Sequence, residues 1–200
     1  MPDELNRYFA DASNWRPPRD PLILDLDGDG IEATAIDPSS PILFDHDADG
    51  IKAATGWIKA DDGILVFDVN GNGTIDSGRE LFGDNTLLPD GSNAANGFQA
   101  IAQHDADNNG KIDTADAIYS QLRVWQDANQ DGISQTGELK TLAELGMASV
   151  NVTGQASNVT LGNGNSQPWT GTFTRTNGTT GESGTPELSG SLLLASNNFY

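Results

Sequence analysis

At 200 residues the chain is the size of one domain or two small ones, and 36% apolar residues leave enough to build a core. Its 29 acidic against 10 basic residues give a formal charge of -19. That charge repels nucleic acid and anionic membrane surfaces, so neither is expected as a partner, and it also repels itself until cations neutralise it. There is no Cys, which excludes disulfides and thiolate metal sites, and no run of about 18 apolar residues predicts membrane insertion.

Residues 1–20 lack the basic and apolar stretches of a Sec signal peptide and read as an upstream linker of a larger protein. Within them, Trp15-Arg16-Pro17-Pro18-Arg19 is proline-stiffened and extended. Residues 21–200 read as one module of class α+β in three parts: β-rich over 21–90, EF-hand-like over 94–146, β-rich over 150–200.

In the first part, the apolar runs Pro21-Leu22-Ile23-Leu24, Ile42-Leu43-Phe44 and Ile64-Leu65-Val66-Phe67 predict strands that end in acidic loops. Trp57-Ile58-Lys59-Ala60 and the Ile64 run flank Asp61-Asp62-Gly63, which predicts a hairpin turn. In the second part, Phe98, Ile101 and Ala102 share a helical face. Ala115, Ile118, Leu122 and Trp125 follow at i, i+3, i+7 and i+10, and Leu139, Leu142 and Leu145 continue, with Gly146 as a C-cap. The pattern predicts helix, loop, shared helix, loop, helix. In the third part, Thr172 to Thr176, then Asn177-Gly178, then Thr179-Thr180 predict a hairpin. Leu192-Leu193-Leu194 predicts a further strand, and part of 154–168 fits a loose loop equally well.

One pattern recurs across these parts. Asp-x-(Asp/Asn)-x-(Asp/Asn)-Gly begins at Asp25, Asp45, Asp68, Asp105 and Asp127. Ca²⁺ is a hard cation that takes six to eight oxygens, and an EF-hand loop supplies them from positions 1, 3, 5, 7, 9 and 12 with Gly at 6. Asp127, Asn129, Asp131, Gly132, Ile133, Gln135 and Glu138 fit every slot, Ile133 through its carbonyl and Glu138 as the bidentate acid. Asp105, Asp107, Asn109, Gly110, Lys111 and Asp113 fill the early slots of a second loop, closed by the shorter Asp116. Asp68, Asn70, Asn72, Gly73, Thr74 and Asp76 form a third, in which Arg79 stands at position 12 and Glu80 one residue further on. The starts Asp25-Asp27-Asp29 and Asp45-Asp47-Asp49 have no acid at position 12. Asp37 lies one residue past that slot in the first and Trp57 in the second, so these two are half-sites for distant residues to complete or plain Asp-Gly turns. Several calcium ions are the expected cofactor.

Other chemistry is poorly supplied. Ile23-Leu24-Asp25-Leu26-Asp27-Gly28 resembles the first motif of haloacid-dehalogenase-type phosphatases, but Asp29 stands where that family has Thr or Val, and no later Lys or paired-Asp motif follows. His46 and His104 are the two histidines and lack a third partner for zinc or a triad. Trp57, Trp125 and Trp169 read as core anchors, and the four lysines, Lys52, Lys59, Lys111 and Lys140, as solvated charges.

A family resemblance covers about residues 20–198. It is carried by Asp20-Pro21-Leu22-Ile23-Leu24-Asp25-Leu26-Asp27-Gly28-Asp29-Gly30-Ile31-Glu32, Thr55-Gly56-Trp57, Glu80-Leu81-Phe82-Gly83-Asp84-Asn85-Thr86, Leu122-Arg123-Val124-Trp125-Gln126-Asp127 and Leu161-Gly162-Asn163-Gly164-Asn165. In this order they resemble the calcium-dependent self-processing module of large RTX proteins, the iron-regulated clip-and-link type. The resemblance implies calcium-triggered cleavage of the Asp20-Pro21 bond, with Asp20 and Pro21 as the reacting residues. It also implies that the new aspartyl end can join a lysine ε-amine of the same or a neighbouring protein. It further implies type I secretion as part of a larger toxin-like protein, and a single-turnover, monomeric module. An Asp side chain can attack its own carbonyl through a five-membered ring, and Pro21 offers a tertiary amide as leaving group. The competing expectation is a calcium-stiffened spacer or adhesion module that does not cleave.

Overall fold

A computed structural model describes residues 15–176 and 183–197. Its strands in chain order are β1 (Trp15–Arg19), β2 (Leu22–Leu24), β3 (Ala33–Thr34), β4 (Ile42–Phe44), β5 (Ala53–Thr55), β6 (Trp57–Ile58), β7 (Gly63–Val66), β8 (Lys111–Ile112), β9 (Arg123–Trp125), β10 (Leu139–Thr141), β11 (Met147–Asn151), β12 (Gln155–Gly162), β13 (Asn165–Thr176) and β14 (Ser183–Asn197). One α-helix is found among the described residues, α1 (Gly97–Ala102), capped where Asn96 Oδ1 accepts from the Gln99 amide.

Twelve strands join in one curled antiparallel sheet whose main path runs β10-β9-β7-β2-β14-β13-β11-β8. The long β14 pairs along its length with β13, β2, β5 and β1. Leu22-Ile23-Leu24 and Ile64-Leu65-Val66 have no polar alternation because both faces of their strands are covered. Leu22, Leu24, Leu65 and Val124 face one core with Phe98, Ile101 and Phe173. Ile23, Ile64, Val66 and Trp125 face the other with Phe44, Trp57 and Ile75.

The expected α+β class is wrong: the described residues are nearly all β, and no helix among them reaches seven residues. The central EF-hand helix pair does not form. Phe98 and Ile101 do sit on one buried face, but α1 lasts only six residues. The stretch with the 3.6-residue apolar period, Ala115 to Trp125, is turns followed by β9. Arg123, Val124 and Trp125 pair with β7 on one side and β10 on the other. Leu139, expected in a helix, lies in β10. Ile118, Leu122 and Trp125 are buried as the period required, but a run this short cannot hold a helix against two strands offering hydrogen bonds.

Two smaller expectations also change. Asp61-Asp62-Gly63 is not a hairpin turn, because β6 pairs with β3 while β7 pairs with β2 and β9. Residues 155–176 are no loose loop: β12 and β13 form a hairpin through Gly162, Asn163 and Gly164, all at positive φ. The Asn177-Gly178 turn lies outside the described residues, although Thr176 pairs with Ser183 beyond it.

Candidate functional site

All five acidic loops adopt one backbone conformation. In each, Oδ2 of the first Asp accepts from the amide of the sixth residue: Gly30 at 3.0 Å, Gly50 at 2.9 Å, Gly73 at 2.8 Å, Gly110 at 2.9 Å and Gly132 at 2.9 Å. These five glycines have φ between 68° and 106°, so the motif's Gly is a conformational requirement. The fourth position is left-handed too, at Gly28, Ala48, Gly71, Asn108 and Gln130. Asp25, Asp27 and Asp29 bring one carboxylate oxygen each within 4.8 Å of one another, as do Asp45, Asp47 and Asp49, and Asp105, Asp107 and Asp116. Such hard oxygen triads fit a divalent cation.

The acids that close the loops share a signature. Asp116 accepts from the amides of Ala106 and Asp113, the second and ninth positions of its loop, at 2.8 and 3.0 Å. Glu138 accepts from the equivalent amides of Ala128 and Gln135 at 3.2 and 3.1 Å. Glu80 accepts from the ninth-position amide of Asp76 at 2.9 Å and from Asn70 Nδ2 at 3.0 Å, while the Arg79 guanidinium turns to the Asn85 carbonyl. Glu80 therefore takes the closing place that the spacing alone gives to Arg79. Burial pushes the Glu80 and Asp127 carboxyls above their ordinary range, a cost that a bound cation would remove. Asn129, Asp131 and Gln135 meet within hydrogen-bonding distance on the rim of the Asp127 loop. In the other loops the expected ligands hold equivalent places: Asn109 Oδ1 accepts from the Lys111 amide and Asn72 Oδ1 from the Thr74 amide.

The loop partners differ from those expected. The Asp127 loop does not pair with the Asp105 loop but with the Asp68 loop, where the Ile75 amide donates to Ser134 Oγ at 2.7 Å. The Asp105 loop exits through β8 onto β11. Asp37 closes nothing; it is exposed, and its Oδ1 accepts from the Ser39 amide. Trp57 is core, edge-on to Trp125 at 5.4 Å.

The Asp20-Pro21 bond is enclosed. Asp20 is 5% exposed, and its carboxylate takes a short hydrogen bond from Ser191 Oγ, which itself accepts from the Gly97 amide at 3.3 Å. Burial first, then the charge of Asp84, pushes the Asp20 carboxyl up to about 8 against the hydrogen bonds of Ser191 and the Gly97 amide. Gly83 lies on the Asp20 carbonyl: a Cβ there would stand 1.5 Å from its oxygen. Its turn is fixed by Thr86 Oγ1, which accepts from the Gly83 amide and donates to the Leu81 carbonyl. The Pro21 carbonyl is held by the Leu192 amide at 3.1 Å. Arg19, one residue before the bond, reaches Asp47 at 3.1 Å and Asp84 at 3.6 Å, which ties the bond to the second acidic loop.

Ser191, Gly97, Gly83 and Asp84 escaped the reading of Asp20-Pro21 by itself. Gly83 and Asp84 were visible only as part of a shared motif, and Ser191, 171 residues from Asp20, carries no local signal. The histidines have no such setting. His46 is buried against Thr55 Oγ1, and burial together with the Arg19 charge pushes it down to about 3. His104 rests edge-on against Phe67 and Phe82. Among the described residues no helix is long and apolar enough to cross a membrane.

The SPM domain family matches residues 22–187. The chain is also similar to the iron-regulated protein FrpA of Neisseria meningitidis serogroup C, with 53% identity over 181 residues. That alignment covers 90% of this chain and spans 16% of the relative's length.

Proposed function

The chain belongs to the SPM domain family, and from that premise we propose that it is a calcium-triggered module that breaks its own Asp20-Pro21 bond. The observation that carries this reading is the enclosure of that bond: a buried Asp20 carboxyl fixed by Ser191, with Gly83 packed on its carbonyl.

In this mechanism a side-chain oxygen of Asp20 attacks the Asp20 carbonyl carbon and closes a five-membered anhydride. The bond from that carbon to the Pro21 nitrogen breaks, and the nitrogen must gain a proton to leave. With its pKa near 8, the Asp20 carboxyl holds a proton at neutral pH, so the attacking group can also supply it. Fixed intramolecular geometry of this kind has effective molarities of about 10⁵–10⁸ M. Water then opens the anhydride to a free aspartyl end, or a lysine amine opens it to an amide. The acceptor is a lysine of the same chain or of a neighbouring protein.

Calcium would be held by the five loops: by Asp127, Asn129, Asp131, Gln135, Glu138 and the Ile133 carbonyl, and by the equivalent sets in the others. It would supply charge neutralisation, and so a folded enclosure around the bond, in a chain of charge -19. Low calcium inside a cell and millimolar calcium outside would make this a switch for a protein secreted as part of a longer RTX-type chain.

Mass spectrometry after calcium addition tests the proposal. Wild type should yield one species ending at Asp20 and one beginning at Pro21, and Asp20→Ala should fold without yielding either. A wild-type chain that folds in millimolar calcium, by circular dichroism, yet stays whole for days would sink the cleavage reading in favour of a calcium-stiffened spacer.

A further inference from the structure

We propose that Asp62 is the closing ligand of a cation site with Asp25, Asp27 and Asp29, delivered across space by the turn between β6 and β7. The three loops that contain their own closing acid show what that acid does: Asp116, Glu138 and Glu80 each accept a backbone amide at the ninth position. The Asp25 loop has no such acid in its own sequence, and Asp37, the nearest candidate, faces solvent on a separate turn. Asp62, from another part of the chain, holds the neighbouring amide. Its Oδ2 accepts from the amide of Glu32, the eighth residue of the loop, at 2.9 Å.

The other oxygen points to a ligand. Asp62 is 1% exposed, and its Oδ1 has no hydrogen-bond partner. A buried, unpaired carboxylate oxygen is costly and calls for an explanation. With Oδ2 spent on the loop's own Glu32 amide, Oδ1 is the Asp62 oxygen left over beside the loop, and the charges of Asp25 and Asp27, with that of Asp61, act on the same carboxyl. A divalent cation among Asp25, Asp27 and Asp29 satisfies Oδ1 and reverses that repulsion together. The turn is held in place for this. Gly63 lies where a Cβ would stand 2.3 Å from Val124, and Gln126 Nε2 donates to the Ala60 and Asp61 carbonyls.

The inference rests on the reading that these loops bind calcium, and its test separates the two. Native mass spectrometry of the whole chain titrated with calcium counts ions directly, without reference to cleavage. Asp62→Asn keeps the size of the side chain and an acceptor for the Glu32 amide, so a merely structural Asp62 predicts an unchanged count. We expect Asp62→Asn to lose one ion, Asp25→Asn to lose the same ion, and the double variant to lose no second one. Glu138→Gln should remove a different ion, additive with the first. Where Asp62→Asn fails to fold, Asp62→Glu is read instead: with the charge restored, the ion count should match wild type, and a folded Glu variant short of an ion overturns the proposal. A wild-type count and titration midpoint in Asp62→Asn overturns it while leaving calcium binding intact; a wild type that binds no calcium overturns both.

Discussion

The chemistry of the Asp20 carboxyl depends on what surrounds it. An exposed Asp titrates near 4; here burial, with Asp84 beside it, pushes the value to about 8. The protonated acid is therefore the resting form at neutral pH and is lost above pH 8. If that proton goes to the Pro21 nitrogen, the cleavage rate in saturating calcium is level below about pH 7 and falls about tenfold per unit well above pH 8. A rate that keeps rising from pH 7 to 9 would show that the ionised carboxylate alone suffices. Ser191 is a positioning residue in this scheme. Ser191→Ala removes the hydrogen bond that lowers the Asp20 value, so the falling limb should move to higher pH while the rate drops roughly tenfold to a hundredfold. Unchanged rate and profile in Ser191→Ala would leave the hydroxyl a purely structural role. Folding is linked to the same group. The folded value lies above the unfolded one, so Asp20 favours folding at low pH, and this contribution is lost as pH rises from about 4 through 8.

At the scale of elements, the loops were legible and the segments between them were not. Asp-x-Asp-x-Asp-Gly encodes its own turn, because the first carboxylate captures the sixth amide and Gly permits the positive φ; this happens in five of five loops. The flanking segments obey no such local rule. Ile118, Leu122 and Trp125 keep helical spacing and are buried, yet Trp125 hydrogen-bonds as a strand to Ile64 and Leu139. Nothing in the sequence near Trp125 announces those partners. Glu80 shows the same limit at a ligand position: spacing puts Arg79 at the closing slot, while the chain brings Glu80 into it. This separates two neighbouring substitutions. Glu80→Gln should cost one bound calcium ion in a native mass count, or weaken that site by about tenfold or more. Arg79→Ala should leave every ion in place, since its guanidinium serves Asn85. Loss of an ion in Arg79→Ala with none in Glu80→Gln would reverse the assignment.

For the whole molecule, the decisive arrangement is that each side of the Asp20-Pro21 bond has its own strand contacts. The resemblance made Asp20-Pro21 visible, but the side chains around it come from β14, from the turn at Gly83 and from the N-terminus of α1, which only the closed sheet assembles. Beyond the bond, Pro21 leads into β2, fixed between β7 and β14. Before it, β1 pairs with β14 at Trp15↔Asn197, Arg16↔Ser196 and Arg19↔Leu194, and Arg19 is anchored to Asp47 and Asp84. Cutting one covalent bond removes none of these contacts. The piece ending at Asp20 should therefore remain docked after cleavage, with its acyl end still enclosed. Under the proposed mechanism, retention of that kind would keep the activated aspartyl group away from bulk water and give a lysine amine time to reach it. Cleaved protein should run as two bands on a denaturing gel but as one particle in native mass spectrometry. High salt should speed release of the smaller piece, because the Arg19 ion pairs are partly exposed and are screened. Prompt separation of the two pieces in native buffer at low salt would show that β1 lets go on cleavage, and water rather than lysine would then be the expected acceptor.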